Sequence, residues 1–211
     1  MTIVTAITGR KDTLKEDFDF SKGRFVAFTD AKSEKWETFT PCDLFTDPVR
    51  NAKIHKVLIH KYIKDDISIW IDGNVSFNIP ADVLVDEFLQ DADIFFFTHA
   101  WRNCVYKEAY AAKGSEKYPH MIDYQVEKYK FDGFPDEFGL WEGGFVIRMH
   151  NERTEKFNNE WWTEICTGSR RDQLAIPYVL WKNPDLKVKS HISNVREHPY
   201  FYYKEHLYCV S

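Results

Sequence analysis

The chain has 211 residues, of which 44% are hydrophobic and 29% are charged, and its formal net charge is −5. This length and composition predict a single globular domain over residues 1–211 with a sizeable core. The acidic balance argues against a protein that coats nucleic acid regardless of sequence, because such binding depends on neutralising phosphates. Nowhere does the sequence contain the run of about 18 apolar residues that a membrane span needs.

The amino-terminal stretch MTIVTAITGRKD has no charged head followed by a long apolar segment, so we expect neither a leader nor a membrane segment. The four cysteines, at positions 42, 104, 166 and 209, are far apart and include no Cys-x-x-Cys pair. Their spacing suggests neither a zinc knuckle nor a disulfide framework. A reducing cytoplasm is therefore the expected location.

Short β-rich runs alternate with helical patterns along the chain. Strands are predicted over 2–8, 24–30, 67–72, 93–99, 143–150 and 186–192. Helices are predicted over 50–64, 81–91, 158–166 and 169–181. This alternation is typical of an α/β fold with a mainly parallel central sheet flanked by helices. Ligands bind such sheets beyond the carboxyl ends of the strands, so polar residues at those ends are the first candidates for a site.

The stretch SIWIDGNV places Asp72 at the end of an apolar strand, with Gly73 and Asn74 directly after it. Gly73 permits a tight turn, and Asn74 can direct a neutral oxygen to the same side as Asp72. An ordinary turn uses the same residue types and would be the better interpretation of these residues in isolation. The polar residues that end neighbouring predicted strands favour a ligand site instead.

The predicted helix 50–64 contains five Lys or Arg residues and no acid. A cationic helix side can hold a diphosphate, although solvation is the usual explanation of such a face. We favour the functional interpretation for Arg50 and Lys53. Helical periodicity places the following residues on one side: Arg50, Lys53, Lys56, His60 and Lys64.

The stretch TGSRRDQL opens the last predicted helix. Ser169 and Asp172 have the spacing of a capping box, which alone would explain the aspartate. Arg170 and Arg171, close to a positive helix terminus, also form a natural anion site. Asp172 and Gln173 would then project toward whatever the arginines hold.

Two further segments carry candidate residues. In LWEGGFVIRMH, Glu142 precedes Gly143 and Gly144; the glycines allow a ligand to approach the backbone, and the carboxylate can accept a hydrogen bond from a hydroxyl. A plain β-turn is the alternative. His191 ends the last predicted strand, and its spacing favours a buried, hydrogen-bonded imidazole over a metal ligand.

Eight segments in chain order resemble a glycosyltransferase-like family that includes plant proteins implicated in mucilage polysaccharide synthesis and turgor regulation. WIDGN and GSRRDQL are the most specific of them. The resemblance implies a GT-A-like, Rossmann-like nucleotide-sugar transferase fold. The segments are TAITGRKD, FVAFTD, RNAKIHKVLIHKY, SIWIDGNV, DIFFFTHAWRNCVYKEA, GLWEGGFVIRMHN, FNNEWWTEICTGSRRDQLAIPYVLWK and HISN.

The resemblance also implies roles for individual residues. Asp72 matches the first aspartate of an Asp-x-Asp motif, and Asn74 occupies the place of the second. Because an amide oxygen binds Mn²⁺ or Mg²⁺ more weakly than a carboxylate does, His191 would be needed to complete a divalent cation site. Residues implied to bind the donor are Thr5, Ala6, Thr8 and Asp30 at the nucleoside, Arg50 and Lys53 at the diphosphate, and Arg170 or Arg171 at the leaving group.

The implied reaction moves a sugar from a nucleoside diphosphate sugar, with a UDP-sugar favoured, to a hydroxyl group. Asp172 and Gln173 resemble the Asp-Gln pair of retaining GT-A enzymes, which lies beside the transferred sugar and implies retention. Glu142 would face the acceptor.

The acceptor is expected to be either a glycan or a hydroxymethylated base in phage DNA, in a bacterial cytoplasm or an infected host cell. The basic helix 50–64 and the segment KVKSH suit a DNA backbone, whereas the overall acidity counts against it. Two other functions stay open: a metal-dependent hydrolase of a lipid or glycoside, and a sugar- or nucleotide-binding module without catalysis. The sequence leaves the oligomeric state open.

Overall fold

The computed structural model describes residues 1–9 and 12–206, and its centre is a seven-stranded sheet. Two further strands, Val75–Phe77 and Phe201–Tyr203, form a separate antiparallel pair. The strands are β1 (Thr2–Ile7), β2 (Arg24–Thr29), β3 (Glu37–Phe39), β4 (Ile67–Ile71), β5 (Val75–Phe77), β6 (Ile94–Thr98), β7 (Trp141–Met149), β8 (Val188–His191) and β9 (Phe201–Tyr203).

The strand order in the large sheet is β3-β2-β1-β4-β7-β6-β8. β1 pairs in parallel with β2 and β4, β2 with β3, and β6 with β8, whereas β7 runs antiparallel to both of its neighbours. The mainly parallel α/β sheet predicted from the sequence is therefore confirmed. All six residues of β1 are buried, as expected for a strand covered on both faces.

Helices cover the two faces of the sheet. The helix Ala81–Leu84 continues into a π-helical turn over Val85–Leu89. No helix within the described residues is long and apolar enough to cross a bilayer. The helices are α1 (Pro48–Val57), α2 (Ala81–Leu84), α3 (Val105–Ala112), α4 (Pro119–Phe131), α5 (Glu152–Thr167) and α6 (Asp172–Lys182).

Each face of the sheet has its own hydrophobic core. Strand β6 shows how the sequence builds both, because successive side chains of a strand point to opposite faces. Phe96 packs in one core with Trp161 of α5, while Phe95 and Phe97 pack in the other with Phe88. The first core lies beneath α1, α5 and α6 and thereby fixes the helices that line the site.

Several predicted boundaries are wrong. The helix predicted over 50–64 begins at Pro48 and ends at Val57, and a short 3₁₀ turn, Ile59–Lys61, follows it. His60 and Lys64 are therefore not on the same helix face as Lys53. Strands β3, β5 and β9 and helices α3 and α4 were not predicted; the three strands have only three residues each, and their conformation depends on distant pairing partners.

Candidate functional site

A cleft of about 440 Å³ opens at the carboxyl edge of the parallel strands. β1 and β4 end at this edge, and β7 begins there because it runs the opposite way. The first turns of α1 and α6 close the cleft from one side. The predicted site residues that line it are Ala6, Thr8, Lys53, Asp72, Asn74, Glu142, Arg170, Arg171, Asp172 and Gln173.

Two lysines of α1 and two aspartates form an ion-pair cluster in the cleft. The ammonium nitrogen of Lys56 lies 2.5 Å from Asp172 Oδ2 and 3.4 Å from Asp72 Oδ1. The ammonium nitrogen of Lys53 lies 3.1 Å from the other oxygen of Asp172. The side chain of Lys56 is only 3% exposed. The cluster therefore joins α1, the end of β4 and the start of α6.

Burial and the neighbouring opposite charges shift the pKa values of the cluster residues in opposite directions. Burial alone would raise the pKa of Asp172, but the charges of Lys53 and Lys56 and their hydrogen bonds hold it well below its usual range. Burial lowers the pKa of Lys53, despite the attraction of Asp172. For Lys56, the two carboxylates outweigh burial and raise the pKa. Asp172 and Lys56 are therefore both charged at neutral pH.

Local sequence explains how the cluster is held. Lys53 and Lys56 are three residues apart on α1, so both reach the same side of the helix. Gly143 in β7 leaves room for them, since a Cβ atom there would lie 2.8 Å from both Asp172 Oδ2 and Lys56 Nζ. We predicted that the glycine gives room to a ligand. In the structure, its contacts are with the ion pair.

The predicted capping box of the last helix is wrong. Helix α6 begins at Asp172, after Arg171 as its N-cap residue, whose side chain makes no capping hydrogen bond. Ser169 Oγ instead accepts a hydrogen bond from the backbone N–H of Arg171. Asp172 is thus available for the lysines of α1.

Both arginines line the cleft, but acids already pair with them. Arg170 contacts Asp47 at 3.0 Å and Glu116 at 3.1 Å. Arg171 lies 2.7 Å from Glu108, which is almost fully buried. A ligand anion at this wall would share the arginines with these carboxylates.

Glu142 lies on the opposite wall, at the start of β7. Its carboxylate accepts a hydrogen bond of 2.9 Å from Arg196. Burial raises the pKa of Glu142, and the charge of Arg196 offsets only part of that effect. The guanidinium of Arg196 also lies 4.7 Å from the ring of Tyr203 and 5.6 Å from that of Trp101, whose side chain is 71% exposed.

The structure does not bring the three predicted metal ligands together. Asp72 Oδ1 accepts a hydrogen bond of 2.7 Å from the indole of Trp70, and the amide of Asn74 donates one of 2.9 Å to the carbonyl of Lys204. His191 ends β8, which lies three strands away from β4, a distance of roughly 14 Å. Its Nδ1 pairs with the hydroxyl of Ser193. Among residues 1–9 and 12–206, no group of three His, Cys, Asp or Glu is arranged as a cation site.

Three other predicted residues lie outside the cleft lining. Thr5 is buried, with a hydroxyl that has no hydrogen-bond partner among the residues that the structure describes. Asp30 is exposed just beyond the end of β2. The guanidinium of Arg50 donates to the carbonyls of Ile165 and Gly168, so in this structure it caps the end of α5.

Some lining residues were not assigned to the site from the sequence. The sequence placed Lys56 on the cationic helix side, and only its spacing from Lys53 indicated that both lysines could reach one site. No local sequence pattern indicated a site role for Arg196, Asp12 or His206. The side chains of Asp12 and His206 lie 2.7 Å apart. These residues reach the cleft from segments that are distant in sequence.

The fold and the cleft together define an α/β protein of the GT-A glycosyltransferase class. The WbbM bifunctional glycosyltransferase shares this fold, with a TM-score of 0.50 and 11% identity; the match covers 90% of the present chain and 38% of WbbM. The model of the TOD1/MUCI70 glycosyltransferase-like domain matches residues 5–204, and the chain belongs to that family.

Two other solved structures are similar at lower scores. A glycosyltransferase involved in glycosylation of the major capsid of PBCV-1 has a TM-score of 0.48 and 13% identity, with 90% of this chain and 81% of that chain covered. Mouse xyloside xylosyltransferase 1 has a TM-score of 0.47 and 10% identity, with 91% and 83% covered. No curated protein matches the chain at a significant level.

Proposed function

We propose that the cleft binds a nucleoside diphosphate sugar, and that the protein transfers the sugar to a hydroxyl group of a glycan. The observation that carries this proposal is the convergence of Lys53 and Lys56 with Asp72 and Asp172 at the carboxyl edge of β4. Departure of a diphosphate from a sugar requires cations at the leaving group and negative charge near the anomeric carbon. The cluster supplies both within a few ångströms.

The nucleoside and the diphosphate of the donor are assigned to two parts of the cleft. The nucleoside lies against Ala6 and Thr8 at the end of β1, with a UDP-sugar as the favoured donor. The diphosphate lies between Lys53 and the wall formed by Arg170 and Arg171. The Thr8 hydroxyl, which donates a 2.5 Å hydrogen bond to the carbonyl of Pro48, ties this pocket to the start of α1.

Asp172 and Gln173 are assigned to the transferred sugar. Because the pKa of Asp172 is held low, its carboxylate stays ionised and stabilises the positive charge that develops at the anomeric carbon. Both of its oxygens are hydrogen-bonded to lysines, an arrangement that favours electrostatic stabilisation over nucleophilic attack. Retention of configuration is part of the proposal, because the Asp-Gln pair resembles that of retaining enzymes.

Glu142 is assigned to the acceptor hydroxyl. Its raised pKa brings the carboxylate closer to the range in which a general base is effective. The exposed ring of Trp101, near Arg196, offers a flat apolar surface of the kind on which a sugar ring packs.

A DNA acceptor is less well supported than a glycan. Three of the basic residues that suggested a DNA surface, Arg50, Lys53 and Lys56, point inward to protein groups. Only Lys61 and Lys64 of that segment are exposed.

Calorimetric titration with UDP, GDP, ADP and CDP tests the donor assignment. We expect UDP to bind with a Kd below about 1 mM, corresponding to a free energy of about −4 kcal/mol or better. If none of the four nucleotides binds at millimolar concentration, the proposal is wrong.

Product analysis tests the reaction. We expect Asp172→Asn to lower turnover of a UDP-sugar by about 100-fold or more, and Asp91→Asn, at an exposed acid outside the cleft, to leave it unchanged. Release of free sugar without transfer to any glycan would point to a hydrolase. A steep loss of turnover with added salt would point to a DNA acceptor.

A further inference from the structure

We propose that the ammonium group of Lys56 takes the place of a divalent cation, so that the protein binds the diphosphate of its donor without a metal ion. This inference rests on the proposed function and deepens it. Enzymes of the GT-A class often place a divalent cation beside the carboxylate that follows this strand. In the present structure, the side chain of a lysine from α1 lies beside that carboxylate.

The position of Lys56 is that of a bridging cation. Its nitrogen lies between Asp72 and Asp172, at 3.4 and 2.5 Å, with a side chain only 3% exposed. With Lys53 on the second oxygen of Asp172, two ammonium groups face two carboxylates. The cluster is therefore neutral, and little negative charge is left to attract a dication.

Three of the four carboxylate oxygens of Asp72 and Asp172 are already engaged. Oδ1 of Asp72 receives the indole N–H of Trp70 in addition to Lys56. Each oxygen of Asp172 accepts a hydrogen bond from one lysine. His191, which would have to complete the site, is three strands away. A metal ion at Asp72 would have to compete with a buried ammonium group whose ion-pair partners, among the described residues, are Asp72 and Asp172 alone.

Two contacts hold Lys56 in this place. The carbonyl oxygen of Lys56 accepts a hydrogen bond of 2.6 Å from the buried Arg148. The end of the side chain passes over Gly143, where a Cβ atom would lie 2.8 Å from Nζ and 3.2 Å from Cε. A flexible surface lysine would need neither contact, so the site is built around this ammonium group.

Calorimetry with UDP in two buffers of equal ionic strength, one with EDTA and one with Mn²⁺, tests the proposal. We expect the two Kd values to agree within about twofold, because the protein supplies the cation itself. Affinity that falls about tenfold or more in EDTA would overturn this inference and leave the proposed function standing. Absence of UDP binding in both buffers would overturn the proposed function as well.

Electron paramagnetic resonance of Mn²⁺ gives a second readout that needs no variant. We expect the signal of free Mn²⁺ in the presence of UDP not to fall when the wild-type protein is added; it rises to the extent that the protein withdraws UDP from its Mn²⁺ complex. Uptake of one Mn²⁺ per chain together with UDP would contradict the proposal.

Substitution of Lys56 tests whether its ammonium group supplies the cation for UDP binding. In EDTA, Lys56→Met is expected to weaken UDP binding by about tenfold or more, because a charge-assisted contact is lost. The same variant is expected to gain Mn²⁺ binding, because Asp72 and Asp172 then lack their bridging cation. The exposed Lys61→Met is the matched control and should change neither property. Unchanged UDP binding in a folded Lys56→Met protein would overturn the inference.

Discussion

Gly143 and Gly144 are adjacent in β7, yet a side chain would meet different surroundings at the two positions. At Gly143 the nearest atoms to a Cβ would be those of Asp172 and Lys56, at 2.8 Å. At Gly144 the nearest atom would be Asp72 Oδ2, at 3.5 Å, an ordinary contact distance. The pair therefore allows the same substitution to be compared inside and beside the ion-pair cluster.

We expect Gly143→Ala to push the lysine and the aspartate apart. UDP affinity should fall by about tenfold, and the free energy of unfolding should fall by about 1–3 kcal/mol, as is usual for overpacked sites. Gly144→Ala should bind UDP normally and gain about 0.5 kcal/mol of stability, because alanine loses less entropy than glycine on folding. Calorimetry and urea unfolding measure the two quantities. Equal UDP affinities and equal free energies of unfolding in the two variants would contradict the close packing at Gly143.

At the scale of elements, the start of α1 is joined to the start of α6 by one carboxylate. Oδ1 of Asp47 accepts hydrogen bonds from the backbone N–H of Val49, at 3.1 Å, and from Arg170, at 3.0 Å. Pro48 occupies the first helical position, where its missing N–H costs nothing. Asp47 thus caps the helix that carries the lysines and also positions the arginine wall of the cleft.

Two substitutions separate these roles. Asp47→Asn keeps a capping oxygen but removes the charge opposite Arg170, and we expect it to cost about 1 kcal/mol of unfolding free energy. Asp47→Ala removes both and should cost about 2–4 kcal/mol. Urea unfolding with an unchanged m-value is the measurement. If both variants lose the same unfolding free energy, the capping oxygen of Asp47 contributes nothing to stability, and Asp47 does not have the two roles described above.

At the scale of the whole molecule, Arg148 is a buried cation in the central sheet. Its side chain is fully buried, and no described carboxylate lies within ion-pair distance of it. Burial lowers the pKa of Arg148 to about 9. Since the folded pKa lies below the unfolded one, the charge costs stability at neutral pH. What the arginine provides is its hydrogen bond to the carbonyl of Lys56, near the end of α1.

Arg148→Met tests whether burial of this charge costs stability. We expect the unfolding free energy of the variant to equal that of the wild type or to exceed it by up to about 4 kcal/mol, because a well-packed apolar side chain avoids the desolvation cost. Arg148→Ala should lose about 3 kcal/mol through the cavity it leaves. Urea unfolding compares the three proteins. Equal destabilisation by Met and Ala would show that the hydrogen bond outweighs the cost of burying the charge.

Much of the fold followed from local pattern. The predicted strands at 2–8, 24–30, 67–72 and 93–99 agree with β1, β2, β4 and β6 to within a residue at each end. Apolar runs of this kind fix strand position because burial on both faces leaves few alternatives. Helix boundaries were less well predicted. The N-cap at Asp47 was not predicted. The Ser169–Asp172 spacing suggested a capping box, whereas Asp172 forms an ion pair with Lys56 of α1.

By itself, the sequence determined the class of fold and, through Asp72 at the end of β4, the edge of the sheet that carries the cleft. The antiparallel direction of β7, which brings Glu142 to the same edge, was not predicted. Apolar periodicity and the carboxyl-end rule are local properties of the chain. Only the tertiary structure decided that Lys56 bridges two aspartates, that Arg50 caps α5, and that His191 lies three strands from Asp72. The physical reason is that ion pairs and hydrogen bonds of the cleft join segments up to 194 residues apart. The distances between such segments are set by strand order and helix packing, and spacing along the chain does not determine them.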